Sequence, residues 1–208
     1  MNRSKLSALS ALAALSLGAM SAQAKVIYHF NGNGASADAF MYGDGGGKDY
    51  SALKVSQGGT NQSPTTYLSY YSALCDTAST ICTGIEGSGQ IPNRDFTASS
   101  KSASLSTNAG SNPDFWAVKW TYNYSTGTYS ESPISLGYFS LNWKTSGLAS
   151  SKTVGTTTST YLNETWKSTG QSSSAEATVT GSVGGTPFIA AGGRIGSNSN
   201  NDLIMERK

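Results

Sequence analysis

Histidine occurs once in the 208-residue chain, as His29 within Val26-Ile27-Tyr28-His29-Phe30. A Ser-His-acid triad needs that imidazole beside a serine and a carboxylate. The G-x-S-x-G elbow is absent, and Gly87-Ser88-Gly89 lacks its spacing. His29 therefore reads as a residue on the edge or solvent face of a strand. Ser51-Ala52-Leu53-Lys54 matches the S-x-x-K pattern of penicillin-recognising enzymes, but it falls in an alternating, strand-like stretch without the companion motifs. It is read as coincidence, and no catalytic residue is assigned.

Oxygen ligands gather in Asn31-Gly32-Asn33-Gly34, Asp38 and Asp44-Gly45-Gly46-Gly47-Lys48-Asp49. Carboxylates on glycine turns suit a hard cation, which makes Asp38, Asp44 and Asp49 candidate calcium ligands. Neither an EF-hand loop nor a G-G-x-G-x-D repeat is present, and Lys48 brings a positive charge. The preferred role of these Asn, Asp and Gly residues is to form tight turns. Cys75 and Cys82 cannot complete a zinc site in a chain with one histidine. In an oxidising compartment they pair instead as a short-loop disulfide of modest stabilising effect. Paired acids for glycoside hydrolysis meet only in a folded protein, and solvation is the default for each of the twelve.

Aromatic residues give the positive indication. Trp116, Trp120, Tyr122 and Tyr124 share one parity, while Tyr67, Tyr70, Tyr71, Tyr129, Trp143 and Trp166 lie elsewhere. Such rings form either a platform for sugar rings or the core of the domain. For Trp116, Val118 and Trp120 the core is the preferred reading. Tyr70, Tyr71 and Tyr129, close to loop signals, are the expected exposed set. The candidate ligand-binding residues are thus Tyr70, Tyr71, Tyr129, Trp116 and Trp120.

Positioning these groups falls to strands. Only 12% of residues are charged, against roughly a quarter in average soluble domains, which excludes a coiled coil or helical bundle. Residues 25–208 hold 30 Ser, 22 Thr and 23 Gly. Phe115 to Tyr124 alternates cleanly. After a loop from Ser125 to Pro133, Ile134 to Trp143 is predicted as its antiparallel partner, with a phase slip beside Gly137. Further strands are expected at Lys25 to Phe30, Ala35 to Tyr42, Tyr50 to Ser56, Thr65 to Ala73, Lys101 to Thr107, Val154 to Trp166, Ala175 to Val183 and Asp202 to Arg207. Thr156 to Thr160 reads as a solvent-facing or edge strand. Nine or ten strands imply an all-β, antiparallel two-sheet sandwich, jelly-roll-like or immunoglobulin-like.

Arg3 and Lys5, the apolar run Leu6 to Ala19 and Ala22-Gln23-Ala24 have the layout of a secretory signal peptide at residues 1–24. The remainder, 25–208, is expected to be one domain with twelve charges of each sign. That balance leaves no basic stripe for nucleic acid, and no later run is long enough for a transmembrane helix.

Phe30-Asn31-Gly32-Asn33-Gly34-Ala35-Ser36-Ala37, the tyrosine-rich strand ending in Cys75, Leu141-Asn142-Trp143, and Ser174 to Val183 occur in an order that resembles an uncharacterised group of small secreted bacterial β-proteins. The resemblance implies a secreted sandwich and transfers no activity and no site residue. The expected function is non-enzymatic: weak binding of carbohydrate or another surface ligand, at or outside the cell envelope. Alternatives are a structural subunit of a surface fibre, adding strands through Lys25 to Phe30 or Asp202 to Arg207, and a hydrolase with dispersed carboxylates.

Overall fold

A computed structural model describes residues 25–42, 50–60, 63–76, 78, 80–145, 151–161, 164–188 and 192–206. The signal-like segment, Asp44 and Asp49 lie outside them. The described residues form an all-β, antiparallel fold whose thirteen strands join one hydrogen-bonded sheet, where turn spacing predicts nine or ten strands in two. The strands are β1 (Lys25–Tyr42), β2 (Tyr50–Thr60), β3 (Ser63–Cys75), β4 (Ile81–Ile91), β5 (Phe96–Ala98), β6 (Ser102–Asn108), β7 (Phe115–Asn123), β8 (Thr128–Pro133), β9 (Tyr138–Thr145), β10 (Ser151–Tyr161), β11 (Glu164–Val183), β12 (Thr186–Pro187) and β13 (Gly192–Glu206). Their order is β5-β6-β9-β11-β13-β1-β2-β3-β4-β7-β8, with β10 and β12 also on β11.

Polar glycine-rich segments that read as turns are strand interiors here. Asn31 to Gly34 sits in β1, and from Gly32 onward it is paired with both β13 and β2. The missing side chain at Gly34 makes room for Asn198, whose amide oxygen a Cβ would strike. Gly184-Gly185, by contrast, is a turn, with φ of 58° and 82° that other residues rarely adopt. The loop expected before Pro133 contains β8, which is the partner of β7. In the segment after it the Ile134 N–H still donates to the Ala117 carbonyl of β7 at 3.0 Å, and the phase slips at Gly137, at φ 68°, before β9 begins. β9 pairs with β6 and β11, and among the described residues it has no pairing with β7.

The sheet rolls over on itself, so both arms contribute to one core. Phe139 of β9 meets Tyr70 of β3 at 5.8 Å and Phe115 of β7 at 6.0 Å between ring centroids. Leu53, Val55, Leu68, Phe96, Leu105, Leu141 and Trp143 are buried with it. Each such side chain contributes about 1.5–3 kcal/mol on burial. Trp143 Nε1 donates to the Asp38 carbonyl across the roll at 2.7 Å. At the far end of the long strands, β10, β11, β13 and β1 extend as a four-stranded blade. β13 is interior to this blade, so Asp202 to Glu206 is paired on both sides and offers no free edge.

Candidate functional site

The alternation of β7 decides which side chains reach solvent. Ala117, only 8% exposed, is the residue that faces the core. Trp116, Val118, Trp120 and Tyr122 therefore occupy the outer face, and Trp116 is 50% exposed. The expectation that this row fills the core is thus corrected. On the inner face Gly87 of β4 packs closely against Ala117 and the Phe115 ring, each 3.0 Å from a Cβ position.

Trp120 lies opposite Gly84 of β4, which lies opposite Ala73 of β3. A Cβ at Gly84 would collide with the six-membered ring of the indole. The bare backbone is a seat, and over it the indole leans across β4 to reach Tyr71. Their centroids are 6.0 Å apart at 25°. Tyr122 and Tyr124 meet edge to face at 4.6 Å, and Tyr129 of β8 lies opposite Tyr122. Tyr50 flanks Tyr71 at 6.3 Å.

Two acids border these rings. Glu86 faces Tyr71 on one side and Val118 on the other, and it makes no ion pair among the described residues. Glu131 lies opposite Trp120 and accepts the Tyr129 hydroxyl at 2.8 Å. Partial burial, then the carboxylate of Glu86, then Tyr124, push the Tyr71 phenol above 10.0. The hydrogen bond to Glu131 is the main cause of the same upward direction at Tyr129. Both phenols are neutral donors at neutral pH.

The rings and Glu86 line an open hollow of about 480 Å³. A second hollow of about 400 Å³ shares Tyr71 and Glu86 with it and runs on past Tyr50 to Lys54, Asp38 and Arg194. Together they make one track across β13, β1, β2, β3, β4, β7 and β8. Below it, Cys75 and Cys82 are directly opposite across the β3–β4 hairpin and form the expected disulfide. Asp76 closes the turn by accepting from the Thr80 N–H and hydroxyl, both at 2.6 Å.

Of the five expected ligand residues, Tyr71, Trp120 and Tyr129 come together here. Trp116 is on the same face, two residues along β7 from Val118 and outside the hollow. Tyr70 points the other way, against Phe139. Tyr122, Tyr124, Gly84 and Glu86 were not among the expected site residues. The two tyrosines follow from the parity of β7 once its outer face is known, while β4 carries no apolar alternation that would mark it. Asp38 Oδ2 is 3.6 Å from Arg194 Nε, and Asp38 is paired in register with Lys54. One carboxylate oxygen of Asp38 thus faces a guanidinium, and no metal-holding group of acids, His or Cys occurs among the described residues. Ser51 and Lys54 differ in parity, with Ser51 buried and Lys54 exposed, so the S-x-x-K match places its two functional groups on opposite faces. His29 lies in β1 opposite Leu203.

No protein-family model matches the chain, and neither a curated protein nor a solved structure matches it.

Proposed function

We propose that this is an exported carbohydrate-binding protein that holds a glycan along the outer aromatic track, without transforming it. The observation that carries the reading is Trp120, packed over Gly84 and stacked with Tyr71 in an open, solvent-facing hollow. The C–H-rich face of a pyranose packs on a flat ring, while its hydroxyls take phenol and carboxylate partners at the rim. Contiguous apolar surface kept out of the core is the usual mark of an interaction site. The paired hollows accommodate more than one ring. The track is open rather than cleft-like, and Glu131 is already engaged by Tyr129, which favours holding over hydrolysis. The signal-like segment and the disulfide support export.

Calorimetry with soluble oligosaccharides and a glycan array test it. Binding in about the micromolar to millimolar range, roughly 4–8 kcal/mol, is expected, and Trp120→Ala should abolish it. Binding that survives in Trp120→Ala overturns the assignment of the site.

One observation favours a second reading, assembly by strand addition. The outer edge of β10 is unpaired among the described residues, and its eleven residues contain no proline. The edges at β5 and β8 are blunted, one by its three residues and the other by Pro133. Concentration-dependent oligomers in sedimentation, removed by Thr158→Lys, support it; a monomer at all concentrations disposes of it.

A further inference from the structure

We infer that the ring of the glycan seated at Trp120 carries an ammonium group, so that the ligand class is an amino sugar with a free amine. This rests on the carbohydrate reading above and narrows it.

The chemistry of the two hollows differs. The hollow at Trp120 is walled by one indole and four phenols, and among the described residues Glu86 is its single charged group and no lysine or arginine lines it. The faces of aromatic rings are negative and attract cations, the indole most strongly. Glu131, opposite Trp120 in register, adds a second carboxylate at the rim. Glu86 adds to the upward shift of both phenols, after burial at Tyr71 and after the Glu131 hydrogen bond and desolvation at Tyr129. A neutral sugar would leave the Glu86 charge unanswered; an amine over the rings meets both the carboxylate and the π faces.

The neighbouring hollow has no such excess. There Asp38 sits between Arg194, at 3.6 Å, and Lys54, its partner in register. With the shared Glu86 counted, this hollow holds two carboxylates and two cations, which suits uncharged rings of the same chain. The sharing of Tyr71 and Glu86 between the hollows makes the ligand an oligomer, in contrast to an isolated ammonium compound.

The test is calorimetry of the disulfide-bonded protein with three β-1,4-linked hexamers: glucosamine, N-acetylglucosamine and glucose. The buffer is set to about pH 6, below the roughly 7.7–8.0 of an α-amino group, an amine with comparably electron-withdrawing neighbours. The glucosamine hexamer is expected to bind about tenfold more tightly than either neutral hexamer, as one ring-face contact and one exposed ion pair would give. That preference should shrink with added salt. Glu86→Gln, an exposed position whose fold is checked by circular dichroism, should bring the three ligands within about twofold by removing the same exposed ion pair. Neutral hexamers binding as tightly as the amine to the native protein would overturn this inference and leave the carbohydrate reading standing. Retention of the preference in Glu86→Gln would overturn the role given to Glu86. If no hexamer binds, both readings fall.

Discussion

Gly84 and Trp120 illustrate how a residue without a side chain can position one with a large side chain. The Ser72 carbonyl oxygen and the indole both occupy the volume a Cβ would take, so Gly84→Ala must displace the indole from Tyr71, shift the β3 backbone, or do both. Overpacking of this kind costs about 1–3 kcal/mol. Trp120→Ala removes the ring from a solvent-facing position and leaves the core untouched. The two variants should therefore separate: both lose glycan binding, but only Gly84→Ala lowers the denaturation midpoint appreciably. Equal midpoints would mean that the indole is not seated on the glycine. The phenols allow a second check. Tyr129 and Tyr71 have pKa values above 10.0 in the folded protein, so the unfolded chain gives up these protons first. Their contribution to stability is present below about pH 10 and is lost as pH rises through the folded-state values. In a phenolate absorbance titration Glu131→Gln should return Tyr129 toward 10.0, and an unmoved Tyr129 would refute the hydrogen bond as the cause. Which neighbour faces out was not legible at this scale. Tyr70 and Tyr71 are adjacent and chemically identical, and only the placement of Leu68 in the core makes Tyr70 its partner on the inner face.

At the scale of elements, clean alternation identified β7, and hydroxyl-rich residues identified the edge at β10. The site depended on a strand with neither sign. In β4, Gly84, Gly87 and Gly89 stand where cross-strand neighbours lie too close for a Cβ, so the strand is held by its partners and has weak local preference for extension. The aromatic-bearing β3–β4 hairpin should accordingly rely on its covalent tie. With seven residues of separation between Cys75 and Cys82, a chain-entropy treatment gives about 2–3 kcal/mol for that link. A Cys75→Ser, Cys82→Ser double variant should lose that much in urea denaturation and bind glycan more weakly, because the strand end beside Tyr122 frays. Stability and affinity matching the native protein would show that β-pairing alone holds the hairpin. The long strands explain the other misreadings: Asn, Ser and Gly signal turns when a chain has a free choice, but in β1 two flanking strands remove that choice.

For the whole molecule, composition correctly indicated an all-β, sparsely charged fold, whereas the closure of one sheet around one core has no local sequence signal. One contact within it joins residues 105 positions apart, the Trp143 indole N–H and the Asp38 carbonyl. Trp143 is 1% exposed, and it fits because Gly193 is bare. A Cβ there would lie 2.6 Å from the same carbonyl oxygen and 3.3 Å from the indole. The indole thus anchors β9 to β1 directly over β13, where the two arms meet. Trp143→Phe keeps most of the apolar volume but removes the donor, at a cost of about 1–3 kcal/mol for a buried acceptor deprived of its partner. Trp143→Ala adds a cavity and should cost about 3–5 kcal/mol. Because both arms bury their residues in a common core, loss should be cooperative. Far-ultraviolet dichroism, which follows the strands, and near-ultraviolet dichroism, which follows the packed rings, should give coincident urea transitions in the native protein and in Trp143→Phe. Separate transitions would mean that the arms fold independently and that the indole is not the pin between them. In that event the outer track, which belongs mainly to the β1–β8 arm, would keep its glycan affinity through the first transition.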